Sequence, residues 1–117
     1  MEFLDPALDD YVAKSTTAEP DALHKLNRET HLKVLQPRML SGHIQGRVLS
    51  MLSHMIRPER ILEIGTYTGY SAICLAEGLR EGGRLDTIDI NEELQPMVEK
   101  YLALTENTER IRMHIGP

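Results

Sequence analysis

The chain has 117 residues, of which 41% are hydrophobic and 26% charged, and its formal net charge is −5 at pH 7. This is enough for one soluble globular domain but small for a complete α/β enzyme, and the acidic balance argues against a nucleic-acid partner. No apolar run approaches the roughly 20 residues of a membrane span, the N-terminus lacks a secretory signal, and Cys74 as the single cysteine favours a reducing compartment, so we expect a cytoplasmic protein with no membrane contact.

The N-terminal part is predicted to be helical. A first helix has apolar residues at helical spacing, namely Phe3, Leu4, Leu8, Tyr11 and Val12. Thr16 and Glu19 form a possible capping box before a second helix, which has Pro20 in its first turn and stops at Pro37. The apolar face of that helix includes Leu23, Leu26, Leu32 and Leu35. A third helix over residues 43–56 presents an apolar face made of Ile44, Val48, Leu49, Leu52 and Ile56.

After residue 57 the pattern changes to alternating strands and helices. Strands are predicted over residues 61–64, 84–90 and 110–115, and a helix over residues 69–79. Asn91 is a good N-cap for a further helix that carries Val98 and Tyr101. The order β-α-β-α-β predicts an α/β fold with a parallel sheet and right-handed crossovers, which is half of a doubly wound fold. Three such strands leave an open edge, so the fold looks unfinished.

Two carboxylates are predicted to meet at one edge of this sheet. Glu63 lies at the end of the first strand and Asp89 near the end of the second. Open α/β sheets bind ligands at the carboxyl ends of their strands, and an acidic residue about 20 residues after a glycine turn accepts hydrogen bonds from a ribose diol. We therefore expect Asp89 to be a ribose ligand. Alternatively, it only caps or solubilises a loop.

The turn after the first strand has the pattern Glu-x-Gly-x-x-x-Gly, from Glu63 through Gly65 to Gly69. A dinucleotide fold has glycine where this chain has Glu63, because the backbone there must pass a pyrophosphate. A carboxylate at that place repels phosphate and suits a nucleoside with an amino-acid or sulfonium part. The pattern therefore disfavours NAD and FAD.

Residues 63–71, Glu-Ile-Gly-Thr-Tyr-Thr-Gly-Tyr-Ser, resemble the first S-adenosylmethionine motif of class I methyltransferases. More narrowly, they resemble cation-dependent O-methyltransferases of the caffeoyl-CoA and catechol type. The resemblance extends back through residues 39–42 and 45–49 and forward through residues 87–91, and covers roughly residues 38 to 117. It implies a Rossmann-like class I methyltransferase fold, here a partial parallel sheet of about three strands preceded by N-terminal helices.

The resemblance also implies which residues bind S-adenosylmethionine. The set is Met39, Ser41, Glu63, Gly65, Thr66, Gly69, Ser71, Asp89 and Ile90. Ser41, and with it Met39, is expected to contact the methionine part of the cofactor, whose carboxylate accepts a hydrogen bond from Ser71. Asp89 is expected to hold the ribose hydroxyls, with Ile90 beside the adenine.

Glu63 and the backbone of Gly65 and Thr66 are expected to line the methionine and ribose region, in the turn that Gly69 closes. Residues 1–57 correspond to a helical extension, and residues 58–117 to the first half of the cofactor-binding domain. By resemblance, the catalytic residues and the ligands of a divalent cation such as Mg²⁺ lie beyond Pro117, so we expect no catalytic or metal-binding residue in this chain. The chain alone is expected to be inactive.

The resemblance implies a homodimer and a small hydroxylated substrate, either a catechol-like phenol or a hydroxylated nucleoside in RNA. Two other interpretations remain open from the residues. One is a nucleotide-dependent Rossmann oxidoreductase, which Glu63 argues against. The other is a binding module without catalytic function.

Overall fold

Three helices form the N-terminal part of the protein. The computed structural model describes residues 4–117, apart from the side chain of Arg38, so Phe3 of the predicted first helix lies outside the described residues. The helices are α1 (Pro6–Ser15), α2 (Asp21–Lys33) and α3 (Gly42–Ile56), with a short 3-10 turn at Pro37–Met39 before α3. Asp5 caps α1, because its Oδ1 accepts a hydrogen bond from the amide of Ala7 at 2.8 Å.

The predicted capping box before α2 is wrong. The hydroxyl of Thr16 donates to the carbonyl of Val12 at 2.6 Å, and Glu19 accepts a hydrogen bond from the hydroxyl of Tyr70. Both side chains are therefore engaged elsewhere, and α2 begins after Pro20 without a side-chain cap. The helix ends at Lys33, well before Pro37, and Leu35 of the predicted apolar face is 99% exposed.

The remaining elements alternate as predicted. They are β1 (Arg60–Ile64), α4 (Tyr70–Ala76), β2 (Arg84–Asp89), α5 (Gln95–Leu102) and β3 (Ile111–Ile115). The strands form one parallel sheet in the order β1-β2-β3, with Glu63 beside Thr87 and Asp89 beside Ile115. Helix α4 is shorter than predicted. Asn91 caps a 3-10 turn at Glu92–Leu94, where its Oδ1 accepts from the amide of Glu93 at 3.0 Å, and α5 follows that turn.

The core lies between one face of the sheet and helices α2, α4 and α5. The sheet contributes Leu85 and Ile111 to this core, and the three helices contribute Leu23, Tyr70 and Val98. On the other face of the sheet, Leu62 and Ile64 of β1 are 65% and 82% exposed. The described residues thus cover one sheet face and leave the other open.

Helix α3 packs on α4 with its small residues and turns its apolar face outward. Gly46, Ser50 and Ser53 are buried, and the hydroxyl of Ser53 donates to the carbonyl of Leu75 at 2.5 Å. A Cβ on Gly46 would lie 2.8 Å from the Sγ of Cys74, so the two helices approach closely. Four residues of the predicted apolar face are exposed instead of packed, namely Ile44, Val48, Leu52 and Ile56.

Candidate functional site

The loop between β1 and α4 is shaped by two glycines in the left-handed region. Gly65 has φ +103° and Gly69 has φ +93°, conformations that L side chains rarely adopt. The amide of Gly65 donates to the carbonyl of Ile88 at 2.7 Å, which joins the loop to β2. A Cβ on Gly65 would meet nothing within 4 Å, so the backbone there is open to a ligand.

Beneath this loop, Glu63 is held by hydroxyl groups on both of its oxygens. Ser71 donates to Oε2 at 2.5 Å and Thr87 donates to Oε1 at 2.7 Å. The hydroxyl of Thr87 also lies 2.7 Å from that of Thr66, and both threonines are buried. The four side chains form one connected network, which we call the Glu63 network.

Burial raises the pKa of Glu63 above its usual range. The hydrogen bonds from Ser71 and Thr87 oppose that rise, and the nearby charge of Asp89 adds to it. A cationic partner placed beside this carboxylate would favour its ionised form and lower its pKa.

Asp89, at the end of β2, is held by backbone amides. Its Oδ2 accepts from the amide of Tyr67 at 2.8 Å, and its Oδ1 accepts from the amide of Asn91 at 3.0 Å. Burial works to raise the pKa of Asp89, but these backbone hydrogen bonds outweigh it and hold the pKa below its usual range. Each oxygen keeps capacity to accept a further hydrogen bond, so an ionised Asp89 can receive two hydroxyl groups.

A cleft of about 350 Å³ opens beside Asp89. The lining residues are Val34, Leu35, Gln36, Met39, Gly65, Tyr67, Asp89, Asn91 and Leu94. The segment between α2 and α3 forms one wall, and the hydroxyl of Tyr67 ties it to the loop by donating to the carbonyl of Gln36 at 2.5 Å. An open glycine backbone, a mainly apolar wall and an ionised carboxylate suit a nucleoside with polar ends.

The structure brings the predicted site residues together at this edge of the sheet in three groups. Met39, Gly65 and Asp89 line the cleft. Glu63, Thr66 and Ser71 belong to the Glu63 network under it, and Gly69 is the N-cap of α4.

Two predicted residues, Ser41 and Ile90, belong to none of these three groups. Ser41 occupies the N-cap position of α3, where its side chain makes no capping hydrogen bond. Ile90 follows β2 directly and is 75% exposed. The roles of all these residues in binding a cofactor remain predictions.

Several residues of the site were not predicted. Thr87 could have been found, because alternation along β2 puts it on the same face as the buried Leu85 and as Asp89. Tyr67 lies within the motif of residues 63–71, but no local pattern marks its contact with Gln36, which joins two loops that are 31 positions apart.

The described part of the chain has neither a cluster of metal ligands nor a helix suited to a membrane span. Among residues 4–117, no group of three or more His, Cys, Asp and Glu side chains could hold a metal ion. In the same range, no helix is long and apolar enough to cross a bilayer.

Known proteins share both the sequence pattern and the fold. A family model described as O-methyltransferase matches residues 13–117. Caffeoyl-CoA O-methyltransferase of Petroselinum crispum is 34% identical over 100 residues, which are 80% of this chain and 41% of that protein. Catechol O-methyltransferase of Mus musculus is 28% identical over 88 residues, which are 75% of this chain and 33% of that protein.

The crystal structure of the O-methyltransferase TomG from Streptomyces achromogenes, in complex with SAM, superposes with a TM-score of 0.85 at 32% identity. The match covers 95% of this chain and 49% of that one, so the chain spans about half the length of that structure and less than half of the two curated relatives. The fold predicted from the motif is confirmed, as is the resemblance to caffeoyl-CoA and catechol O-methyltransferases. The chain belongs to the O-methyltransferase family.

Proposed function

We propose that this chain supplies the S-adenosylmethionine site of an O-methyltransferase. The observation that carries the proposal is the pairing of two carboxylates at one sheet edge. Glu63 is half-buried and oriented by hydroxyls, while Asp89 is kept ionised by backbone amides beside an open glycine loop. Family membership favours this function over a nucleotide-dependent oxidoreductase.

The residues fit the cofactor group by group. Asp89 accepts hydrogen bonds from the two ribose hydroxyls, and the exposed Ile90 packs on the adenine. Glu63 attracts the cationic amino-acid end, and Gly65 lets the backbone of the loop approach it. Met39 and Ser41 lie on the segment that walls the cleft and contact the methionine part. Bound there, the cofactor supplies an electrophilic methyl group on its sulfonium.

Ser71 has to change partner for its predicted role. Its hydroxyl now donates to Glu63, and an alcohol has one proton to donate. To donate to the cofactor's carboxylate, Ser71 must break its hydrogen bond to Glu63. The ammonium group of the cofactor would then replace that lost hydrogen bond to Glu63. Ser71 therefore couples cofactor binding to the Glu63 network.

The methyl acceptor we propose is a hydroxyl of a small catechol-like or phenolic molecule, in the cytoplasm. The names of the caffeoyl-CoA and catechol enzymes support this class of acceptor. We propose that the divalent cation, such as Mg²⁺, that the family resemblance implies is held by residues outside this chain, because no group of side chains among residues 4–117 could hold it. We further propose that methyl transfer needs residues outside this chain and that purified residues 1–117 are inactive.

We also propose separate roles for the two parts of the chain, and a homodimer. Residues 1–57 act as a helical extension that walls the cofactor cleft, and residues 58–117 form the first half of the cofactor-binding domain. The exposed apolar face of α3 supports a homodimer, because an amphipathic helix normally buries such a face.

The test is calorimetric titration of S-adenosylmethionine into the protein and two matched variants. Asp89→Asn removes one charge from the proposed ribose ligand, and we expect affinity to fall about tenfold to a hundredfold, the worth of a charge-assisted hydrogen bond. Asp86→Asn alters the same strand on the opposite sheet face, where Asp86 pairs with Arg84 and His114, and should bind as the wild type does. Binding of NAD without S-adenosylmethionine would contradict the proposal.

A further inference from the structure

A second cavity lies at the opposite edge of the sheet, where the strands begin. It has a volume of about 380 Å³. Four of the chain's nine arginines line it together with two glycines and one glutamate, and they are Arg60, Arg84, Arg110 and Arg112. At a rise of about 3.3 Å per residue, strands of this length place it roughly 15–20 Å from the cofactor cleft.

Parallel pairing is what gathers these arginines. Arg60 and Arg84 are neighbours in register at the starts of β1 and β2, and Arg112 lies opposite Asp86 on β3. The three side chains therefore stand on one sheet face. No stretch of the sequence contains this cluster, because its members are separated by two crossover connections.

The positive charge in this cavity is only partly compensated. Among the described residues, Arg60 and Arg112 make no ion pair, and both are exposed. Arg84 pairs with Asp86 at 3.1 Å, but Asp86 also faces His114 at 2.8 Å and so serves two partners. Glu109 is the one carboxylate among the described lining residues.

Arg110 is held in place by neutral acceptors. Its Nε donates to the carbonyl of Gly83 at 3.2 Å, its Nη1 donates to the side chain of Asn107 at 3.2 Å, and its Nη2 donates to the carbonyl of Arg80. These contacts fix the guanidinium without neutralising it. The rim beside it is open, since a Cβ on Gly82 would meet nothing within 4 Å.

We propose that this arginine-lined cavity binds a small molecule through its phosphate groups. Guanidinium groups recognise phosphate through paired N–H donors, and all the basic residues here are arginines. Its volume is close to that of the cofactor cleft, so it has room for a phosphate or diphosphate group together with the rest of a small molecule. The net charge of −5 disfavours the long polyanionic backbone of a nucleic acid. The site is separate from the proposed cofactor site and does not depend on it.

The test is titration of pyrophosphate into the ¹⁵N-labelled protein at constant ionic strength, followed by calorimetry. We expect saturable one-to-one binding that shifts the amide signals of Gly82 and Gly83. The double variant Arg60→Gln/Arg112→Gln should bind roughly tenfold or more weakly, because each lost charge-assisted contact is costly. Arg28→Gln, which removes an exposed arginine of α2, is the matched control and should bind as the wild type does.

Three outcomes would overturn the proposal. The first is equal weakening in the control and the double variant, which would show general charge screening. The second is an absence of saturation. The third is tighter binding of a single-stranded oligonucleotide with affinity that grows with its length, which would assign the surface to nucleic acid. Unchanged affinity of the double variant for S-adenosylmethionine is expected and keeps the two sites distinguishable.

Discussion

At the scale of single residues, the carboxylate of Glu63 is constrained at both of its oxygens. Each oxygen of its carboxylate has its own hydroxyl donor, and burial raises its pKa. Asp89, at the end of the next strand, has a lowered pKa because amide donors outweigh its burial. The pKa values of two carboxylates at one sheet edge are thus shifted in opposite directions. A cationic partner would favour the ionised form of Glu63, whereas Asp89 stays ionised without one.

The first prediction concerns Thr87, whose hydroxyl joins Glu63 to Thr66. Thr87→Val keeps the shape of the side chain but leaves the buried hydroxyl of Thr66 and one oxygen of the half-buried Glu63 without this partner, so we expect a loss of about 1–3 kcal/mol in the free energy of unfolding. It should also raise the pKa of Glu63 further and weaken binding of S-adenosylmethionine. Denaturant unfolding and calorimetry measure both effects.

Thr87→Ser is the control, because it keeps the hydroxyl. If Thr87 acted only by packing, the serine variant would be the damaged one and the valine variant would not, since serine loses a methyl group that valine retains. Recovery of the Glu63 pKa and of cofactor affinity in the serine variant is expected from the hydrogen-bonded role.

The second prediction concerns pH. The folded pKa of Glu63 is raised, so the folded state binds more protons than the unfolded state between the ordinary value of about 4.3 and the raised value. Stability contributed by Glu63 is therefore present below that window and is lost as pH rises through it. Glu63→Gln should remove this part of the pH dependence, measured as unfolding free energy against pH.

Asp89 should act with the opposite sign. Its lowered pKa gives stability that is present above the ordinary value of about 3.9 and is lost as pH falls through the folded value. Asp89→Asn should therefore flatten the acid side of the profile. A Glu63→Gln profile that changes in the same way as the Asp89→Asn profile would contradict the assignment.

At the scale of elements, the contact between α3 and α4 decides how the N-terminal part sits on the sheet. Small residues allow the approach: Gly46 faces Cys74 and Tyr70, and a Cβ on Gly78 would lie 2.3 Å from the backbone of Ser53. The side chain of Arg47 crosses the same contact and pairs with Glu77 at 2.6 Å. Close packing, and not a broad apolar interface, joins these two helices.

The third prediction tests this contact with Gly46→Ala. Alanine favours helix over glycine by about 1 kcal/mol, but here its Cβ would meet the Sγ of Cys74 and the ring of Tyr70 at 2.8 Å. We expect the cost of overpacking to exceed the gain in helix propensity. The free energy of unfolding, measured with denaturant, should fall by about 1–3 kcal/mol. Gln45→Ala, next to it on the exposed side of α3, should be neutral or slightly stabilising.

At the scale of the whole molecule, two apolar surfaces face outward. One is the open sheet face with Leu62 and Ile64, and the other is the face of α3 with Val48. Together they show that the described residues do not bury all the apolar surface that their own elements present.

The fourth prediction assigns the α3 face to a second copy of the protein. We expect light scattering after gel filtration to give a dimer for the wild type and a monomer for Val48→Asp, because a charge would be buried without a partner. Leu32→Asp, on the exposed side of α2, should remain a dimer. A monomeric wild type, or dissociation in both variants alike, would contradict this assignment.

The sequence by itself determined the order of elements, the parallel sheet and the glycine loop, because hydrophobic period and turn residues are local signals. It also placed Glu63 and Asp89 at one edge, since parallel strands share a direction. Only the tertiary structure decided that Thr87 and Thr66 complete the Glu63 network. It also decided that Glu19 accepts a hydrogen bond from Tyr70 instead of capping a helix, and that the apolar face of α3 points outward. Those facts depend on which side chains from distant segments meet, and no local pattern encodes such a meeting.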